Sequence, residues 1–180
     1  MARVKYGYAE SSDLAATYGD GHMLSVVDEN NELENGMIVK LGRTIDRENN
    51  AISTATDADP IVLILDVILP YDESTTEAGF ECYYNFAKGK CVRAYTIIPN
   101  DKWSIIDYMV TSTVAGDGKP AVVGNYLVHD GNRKYKEIAA DAEDFDMTKY
   151  GFVAEITEVT YRGGMTLYLL NVLKNERTVS

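Results

Sequence analysis

The last third of the chain holds the feature that most restricts the fold. Two β-rich runs, Gly151 to Tyr161 and Met165 to Leu173, flank Arg162-Gly163-Gly164. A three-residue turn there sets Tyr161 opposite Met165, Val159 opposite Leu167 and Ile156 opposite Leu170. One face then collects Val153, Val159, Tyr161, Met165, Leu167 and Leu169, as a half-buried ribbon should. A one-residue slip sets Ile156 against Asn171 and loses that match. The chain therefore reads as mainly β.

The rest of the sequence repeats this grammar. Met37 to Leu41 is a strand bounded by Gly36 and Gly42, and Asp46 to Asn50 is a polar loop. Pro60 and Pro70 enclose Ile61 to Leu69, nine residues rich in β-branched types that read as a core strand. Phe80 to Phe86 and Cys91 to Ile98 form a hairpin turned at Lys88-Gly89, which pairs Phe86 with Cys91 and leaves Cys82 opposite Tyr95. The two thiols do not face each other in that register, so they are expected reduced, as in a reducing compartment. Lys102 to Val110 fits two periods, with Trp103, Ile106 and Val110 on a helical stripe and Ile105 and Met109 on either. Ala115 to Pro120 is a loop. Ala121 to His129 and Lys134 to Ala139 are strands joined by Asp130-Gly131-Asn132. Asp141 to Asp146 is a short helix or a solvated loop.

Residues 1–23 are small and polar, broken by Gly19, Asp20 and Gly21, and read as an extended arm that needs something to tie it down. Residues 24–180 form the β domain, with a subdivision point near 111–120. An internal echo runs through it. Gly36 to Gly42 and Gly124 to Gly131 are both Gly-bounded strands, each followed after a polar segment by a long β run, Ile61 to Leu69 and Phe152 to Tyr161. Two related small barrels produce this pattern, and so does one barrel with ordinary turn chemistry. The expected fold is a small β-barrel or β-sandwich, single or doubled, with a flexible N-terminal arm.

Charge and missing motifs narrow the function. The 180 residues carry a net charge of −11, which argues against nucleic acid and against an anionic membrane surface, both of which need cations. No stretch approaches 18 apolar residues, and Tyr6 to Asp20 has no apolar signal-peptide core, so synthesis in the cytoplasm is expected. Gly89-Lys90 is followed by Cys91 and Gly118-Lys119 by Pro120, so neither is a phosphate-cradling loop. No Gly-x-Ser-x-Gly elbow exists. His22 and His129 stand alone, without partners at metal-ligand spacing, and His129 beside Asp130 reads as a turn-flanking polar residue. Asp141, Glu143, Asp144 and Asp146 lack the glycine of a calcium loop and read as solvated, and Asp57 and Asp59 before Pro60 read as turn formers. No catalytic, cofactor or metal residue is assigned, and an enzyme is not expected. Thirteen tyrosines suit strand positions, and Tyr83, Tyr84, Tyr95 and Tyr126 can equally serve protein or sugar contacts.

Leu33-Glu-Asn-Gly-Met-Ile-Val-Lys-Leu-Gly42 after a polar arm, followed by Asp59-Pro60 and an apolar strand, resembles the capsid decoration, or cement, proteins of tailed bacteriophages. Gly124 to Gly131 and Phe152 to Val159 are similar to the barrel-closing parts of such virion proteins. The resemblance covers residues 1–70 and 120–175 and implies a structural protein on the virion surface. It would bind the major capsid protein from outside as a homo-oligomer, with symmetric trimers by analogy. The arm, with Tyr6, Tyr8, Leu14 and Tyr18, would order on the capsid, and Trp103 would add a contact. A head–tail connector or tail protein is the first alternative. A module binding carbohydrate or a host surface through exposed Trp103 and tyrosines is the second.

Overall fold

The computed structural model describes residues 6–15, 23–66, 85–116, 119–162 and 164–178. Their strands are β1 (Ala9–Asp13), β2 (Met23–Val27), β3 (Ile38–Thr44), β4 (Asn49–Ser53), β5 (Val62–Ile64), β6 (Val92–Thr96), β7 (Lys102–Ile106), β8 (Val110–Ser112), β9 (Tyr126–His129), β10 (Tyr135–Ile138), β11 (Phe152–Arg162) and β12 (Met165–Asn175). The protein is mainly β, with a closed five-stranded barrel and a second sheet. The barrel runs β2-β4-β3-β5-β6, and the seven-stranded sheet runs β1-β7-β12-β11-β9-β10-β8.

The second sheet repeats the pairing scheme of the first. In the barrel, β2 pairs β4 in parallel, and β4–β3, β3–β5, β5–β6 and β6–β2 are antiparallel. In the sheet, β8 pairs β10 in parallel, and β10–β9, β9–β11, β11–β12 and β12–β7 are antiparallel. The continuous run β7–β8 thus takes the place of β2. The registers agree as well. Val62–Thr96, Leu63–Tyr95 and Ile64–Ala94 answer to Ala154–Val172, Glu155–Asn171 and Ile156–Leu170. Gly36 and Gly124 share φ +89. The Gly36 and Gly124 N–H groups each donate to an isoleucine carbonyl, of Ile64 and Ile156, at 2.8 Å. The Gly-bounded strands and long runs of the internal echo are therefore β3 with β9 and β5 with β11. Aligned this way, Ser25-Val26-Val27-Asp28 falls on Ser104-Ile105-Ile106-Asp107.

The copies differ at the first strand. In the barrel, Ser25 and Val26 pair on both sides, with β6 and with β4. In the sheet, a turn of 3-10 helix at Asp107–Met109 splits the run. Lys102–Ile106 pairs β12, and only Val110–Ser112 reaches β10. The other edge of β7 is taken by β1, with Ala9 against Ile105 and Ser11 against Trp103. Lys102 to Val110 is therefore strand and then a 3-10 turn, because it is paired on both edges over its first half.

Several sequence expectations need correction. Residues 6–15 are not a detached arm. β1 is a sheet strand, Leu14 is fully buried, and the Ala15 N–H donates to Asp101 Oδ1 at 2.8 Å. The chain does turn at Lys88-Gly89, where Gly89 has φ +72 and the Lys90 N–H donates to the Ala87 carbonyl at 3.1 Å. Residues 80–84 of the expected first flank lie outside the described residues, and its described end does not pair as that hairpin. Phe86 bridges Leu33, and β6 pairs β2 and β5, because barrel closure gives β6 two apolar neighbours where a lone hairpin gives one. Cys91 is exposed and free, and Cys82 lies outside the described residues. The run after Pro60 pairs only over Val62–Ile64. The Asn35 side chain then accepts from the Asp66 N–H and donates to the Asp66 carbonyl, both at 2.8 Å, replacing a strand neighbour; residues 67–70 lie outside the described residues. Gly42 sits inside β3 instead of ending it, and a Cβ there would stand 2.8 Å from the Ala51 carbonyl oxygen.

In the long hairpin, Ile156 faces Leu170 as expected. A register shift between Ile156 and Glu158 then pairs Val159 with Tyr168 and Arg162 with Met165, one residue away from the expected register. Tyr161 consequently points to solvent, 76% exposed. The barrel and the sheet share one apolar core, in which Trp103, Tyr135 and Phe152 of the sheet lie in the same cluster as Val26, Ile38 and Leu63 of the barrel.

Candidate functional site

The β9–β10 turn joins the two halves. Asp130 Oδ1 accepts the N–H groups of Asn132 at 2.7 Å and Lys134 at 2.9 Å, which holds Gly131 at φ +86 and Arg133 at φ +70. A non-glycine residue in that region is held there against its preference by surrounding contacts. The contacts here are on the barrel: the Arg133 carbonyl accepts from the Ile38 N–H at 3.0 Å, and Arg133 Nη2 donates to Asp28 Oδ2 at 2.5 Å. Both side chains are buried. Burial alone would raise the Asp28 pKa, but hydrogen bonds from the Asn30 backbone, Arg133 and Asn31 outweigh it and hold the carboxyl below its ordinary value. Tyr135 adds a second tie by donating to the Gly36 carbonyl at 2.9 Å. The turn thereby occupies one side of a polar cleft of about 610 Å³ lined on the barrel side by Asn31, Glu32, Met37, Thr54 and Lys88.

A second groove, about 730 Å³, lies beside β8 and is lined by Asp107, Tyr108, Thr111, Lys119, Pro120 and Tyr161 among others. One carboxylate organises its rim. The buried Glu137 accepts from the Val114 N–H and the Val122 N–H, both at 2.8 Å, and from Asn125 Nδ2 at 2.6 Å. The backbone is thus anchored at Val114 and Val122, while Val114, Val122 and Val123 stay about half exposed. Exposed apolar side chains beside an anchored backbone suit contact with another protein.

The residues singled out from sequence do not converge here. Tyr6 and Tyr8 are half-buried, and the Tyr8 hydroxyl donates to Glu10, which also pairs Arg162 at 2.5 Å. Leu14 and Trp103 are fully buried, so neither presents a surface to a partner; Trp103 stacks on Phe152 in the core. Its large apolar area, the reason it stood out, is what draws it inside. Tyr18 lies outside the described residues, as do His22, Tyr83 and Tyr84. Tyr126 stacks on Phe145 at 4.8 Å. Asp141, Glu143 and Asp144 are exposed in a turn-rich loop, and Asp146 caps the 3-10 turn Met147–Lys149. Asp59 does more than form a turn. Burial would raise its pKa, yet hydrogen bonds from Lys40 and Thr56 bring it down to about 2. Tyr108, Tyr161 and Glu137 were missed, because their roles depend on the split strand and the hairpin bulge. Among the described residues no group of three His, Cys, Asp or Glu side chains is placed to hold a metal.

His129 is buried, and its Nδ1 accepts the Gly131 N–H at 3.0 Å, which assigns the ring proton to Nε2. Burial lowers its pKa below 6.5, outweighing the opposing pull of Asp130, Asp57 and Asp59. The unfolded chain therefore takes up a proton first as pH falls below 6.5, and stability is lost towards the depressed folded value. Urea midpoints are expected to be lower at pH 5 than at pH 7.5. The interval lies above the carboxylate range, and His129→Asn should flatten the difference. An equal pH dependence in the variant would assign the effect elsewhere.

No family model, curated protein or solved structure matches this chain.

Proposed function

We propose that this chain is a structural virion protein that binds the outside of a tailed-phage capsid, through the major capsid protein, and stabilises the assembled shell. The observation that carries the reading is the set of half-exposed valines, Val114, Val122 and Val123, where the buried Glu137 anchors the Val114 and Val122 backbones, a surface suited to protein contact. The phage context comes from the resemblance over Leu33 to Gly42, Asp59-Pro60, Gly124 to Gly131 and Phe152 to Val159, segments that supply β3, β9, β11 and the entry to β5. A ligand that binds only the expanded shell stabilises that state by mass action, which needs no catalytic group. A net charge of −11 suits a face turned away from packaged DNA.

Co-sedimentation with emptied, expanded capsids of the encoding phage tests this. Saturable binding at a fixed copy number per capsomer is expected, weakened by Val122→Ser with Val123→Ser. Presence in virions without shell binding would move the protein to the neck or tail, and absence from virions would overturn the reading.

A further inference from the structure

The repeat places two grooves at corresponding points of each half, and in only one of them does a turn of the other half form a wall. In the barrel, the residues after β2 and before β6, Asn31, Glu32 and Lys88, line the cleft into which the β9–β10 turn brings Arg133 onto Asp28. The registers put Asp107 where Asp28 stands, and the groove beside it is lined by residues after β7 and at the β11–β12 tip. Asp107 is exposed, accepts the Tyr108 N–H at 2.9 Å and forms no ion pair among the described residues; Lys119 lines the same groove, and Lys134 Nζ lies 3.5 Å from the centre of the Tyr108 ring. The turn equivalent to β9–β10 is the β3–β4 turn: Leu41 opposite Ile52 corresponds to His129 opposite Tyr135, and β3–β4 pairing then continues past a bulge to Thr44 opposite Asn50. It too is built on an aspartate: Asp46 Oδ1 accepts the N–H groups of Glu48 at 2.9 Å and Asn49 at 2.8 Å. It carries Arg47 and Ile45, the latter 51% exposed, and Arg43 stands at the end of β3 beside it; both arginines are exposed and in no ion pair among the described residues.

We propose that copies of this chain associate head to tail, with the β3–β4 turn of one copy entering the Tyr108–Tyr161 groove of the next and its arginines meeting Asp107. The contact repeats between molecules the one that Arg133 and Asp28 make within each. The occupant is a second copy because this chain carries both halves of the contact: a groove with a carboxylate in no ion pair among the described residues and the exposed Tyr161, and a strand end and turn with two guanidinium groups in no ion pair among the described residues and an exposed isoleucine. The charges are complementary in a chain that otherwise repels itself at −11. A contact of this heterologous kind closes into a ring or extends into a filament. It is independent of whether the assembly sits on a capsid.

Sedimentation velocity and light scattering over a concentration series test it. The wild-type protein is expected to associate beyond the monomer. Asp107→Arg alone, and Arg43→Glu with Arg47→Glu, should each leave a monomer, with circular dichroism confirming the fold at these exposed positions. The chain carrying all three substitutions should associate again, since the charges are exchanged across the same contact. A wild-type protein that stays monomeric at its highest workable concentration would overturn the proposal. So would variants that assemble like wild type, or a triple variant that stays monomeric.

Discussion

Arg133→Met is expected to destabilise the protein by about 3–5 kcal/mol, as urea unfolding would report, because it leaves Asp28 buried without its cation. Asp28 would keep the Asn30 and Asn31 N–H bonds to Oδ1 at 2.8 and 3.0 Å and the Asn31 Nδ2 bond to Oδ2 at 3.2 Å, all from neutral donors that do not balance its charge. The loss falls on the junction between barrel and sheet, since Arg133 Nη2 and the Arg133 carbonyl both bond to the barrel. Asp28→Asn combined with Arg133→Met should recover part of the loss, because no uncompensated charge then remains inside. A single-variant cost below about 1 kcal/mol, the range of an exposed pair, would show that the junction does not depend on this contact.

Removing residues 2–15 is expected to have an effect of similar size, although the composition of that segment reads as a dispensable arm. Leu14 is fully buried, and losing a buried leucine costs about 2–5 kcal/mol by itself. The deletion also strips β1 from β7, leaving the edge along Trp103 to Ile105 unpaired. The Gly7 N–H bond to Glu34 Oε2, 2.7 Å, and the Ile106 N–H bond to the Tyr8 carbonyl, 3.3 Å, go with it. A melting temperature well below that of the full chain, with aggregation through the bare edge, is the expected outcome. An unchanged melting temperature in a monodisperse truncated protein would mean that β1 contributes no stability.

Local chemistry carried the parts of the fold that depend on neighbours in the chain. Asp130-Gly131-Asn132 placed the β9–β10 turn, because Asp accepts nearby N–H groups and Gly takes φ above zero without strain. The doubled Gly-bounded strand was visible for the same reason: Gly36 and Gly124 occupy φ +89 at one position of the repeat. Ser25-Val-Val-Asp28 and Ser104-Ile-Ile-Asp107 are a further signal of the duplication in the sequence, recognisable once the strand pairings align them. The candidate site was far less legible. Leu14 and Trp103 were marked for their apolar bulk, and a property that favours contact in general does not say whether the contact is inside or outside.

The sequence by itself determined that this chain is a β protein, where most of its turns fall, and that its two halves echo each other. Those properties come from side-chain alternation and turn residues, which act over a few positions. Only the tertiary structure decided which strands pair, and with that the rest. β6 pairs β2 and β5, β1 takes the edge of β7 that the 3-10 turn leaves unpaired, and Arg133 reaches Asp28 across 105 positions. Pairing partners are chosen by where each apolar face and each backbone edge can be satisfied at once. That is a property of the closed assembly of strands, not of any one segment.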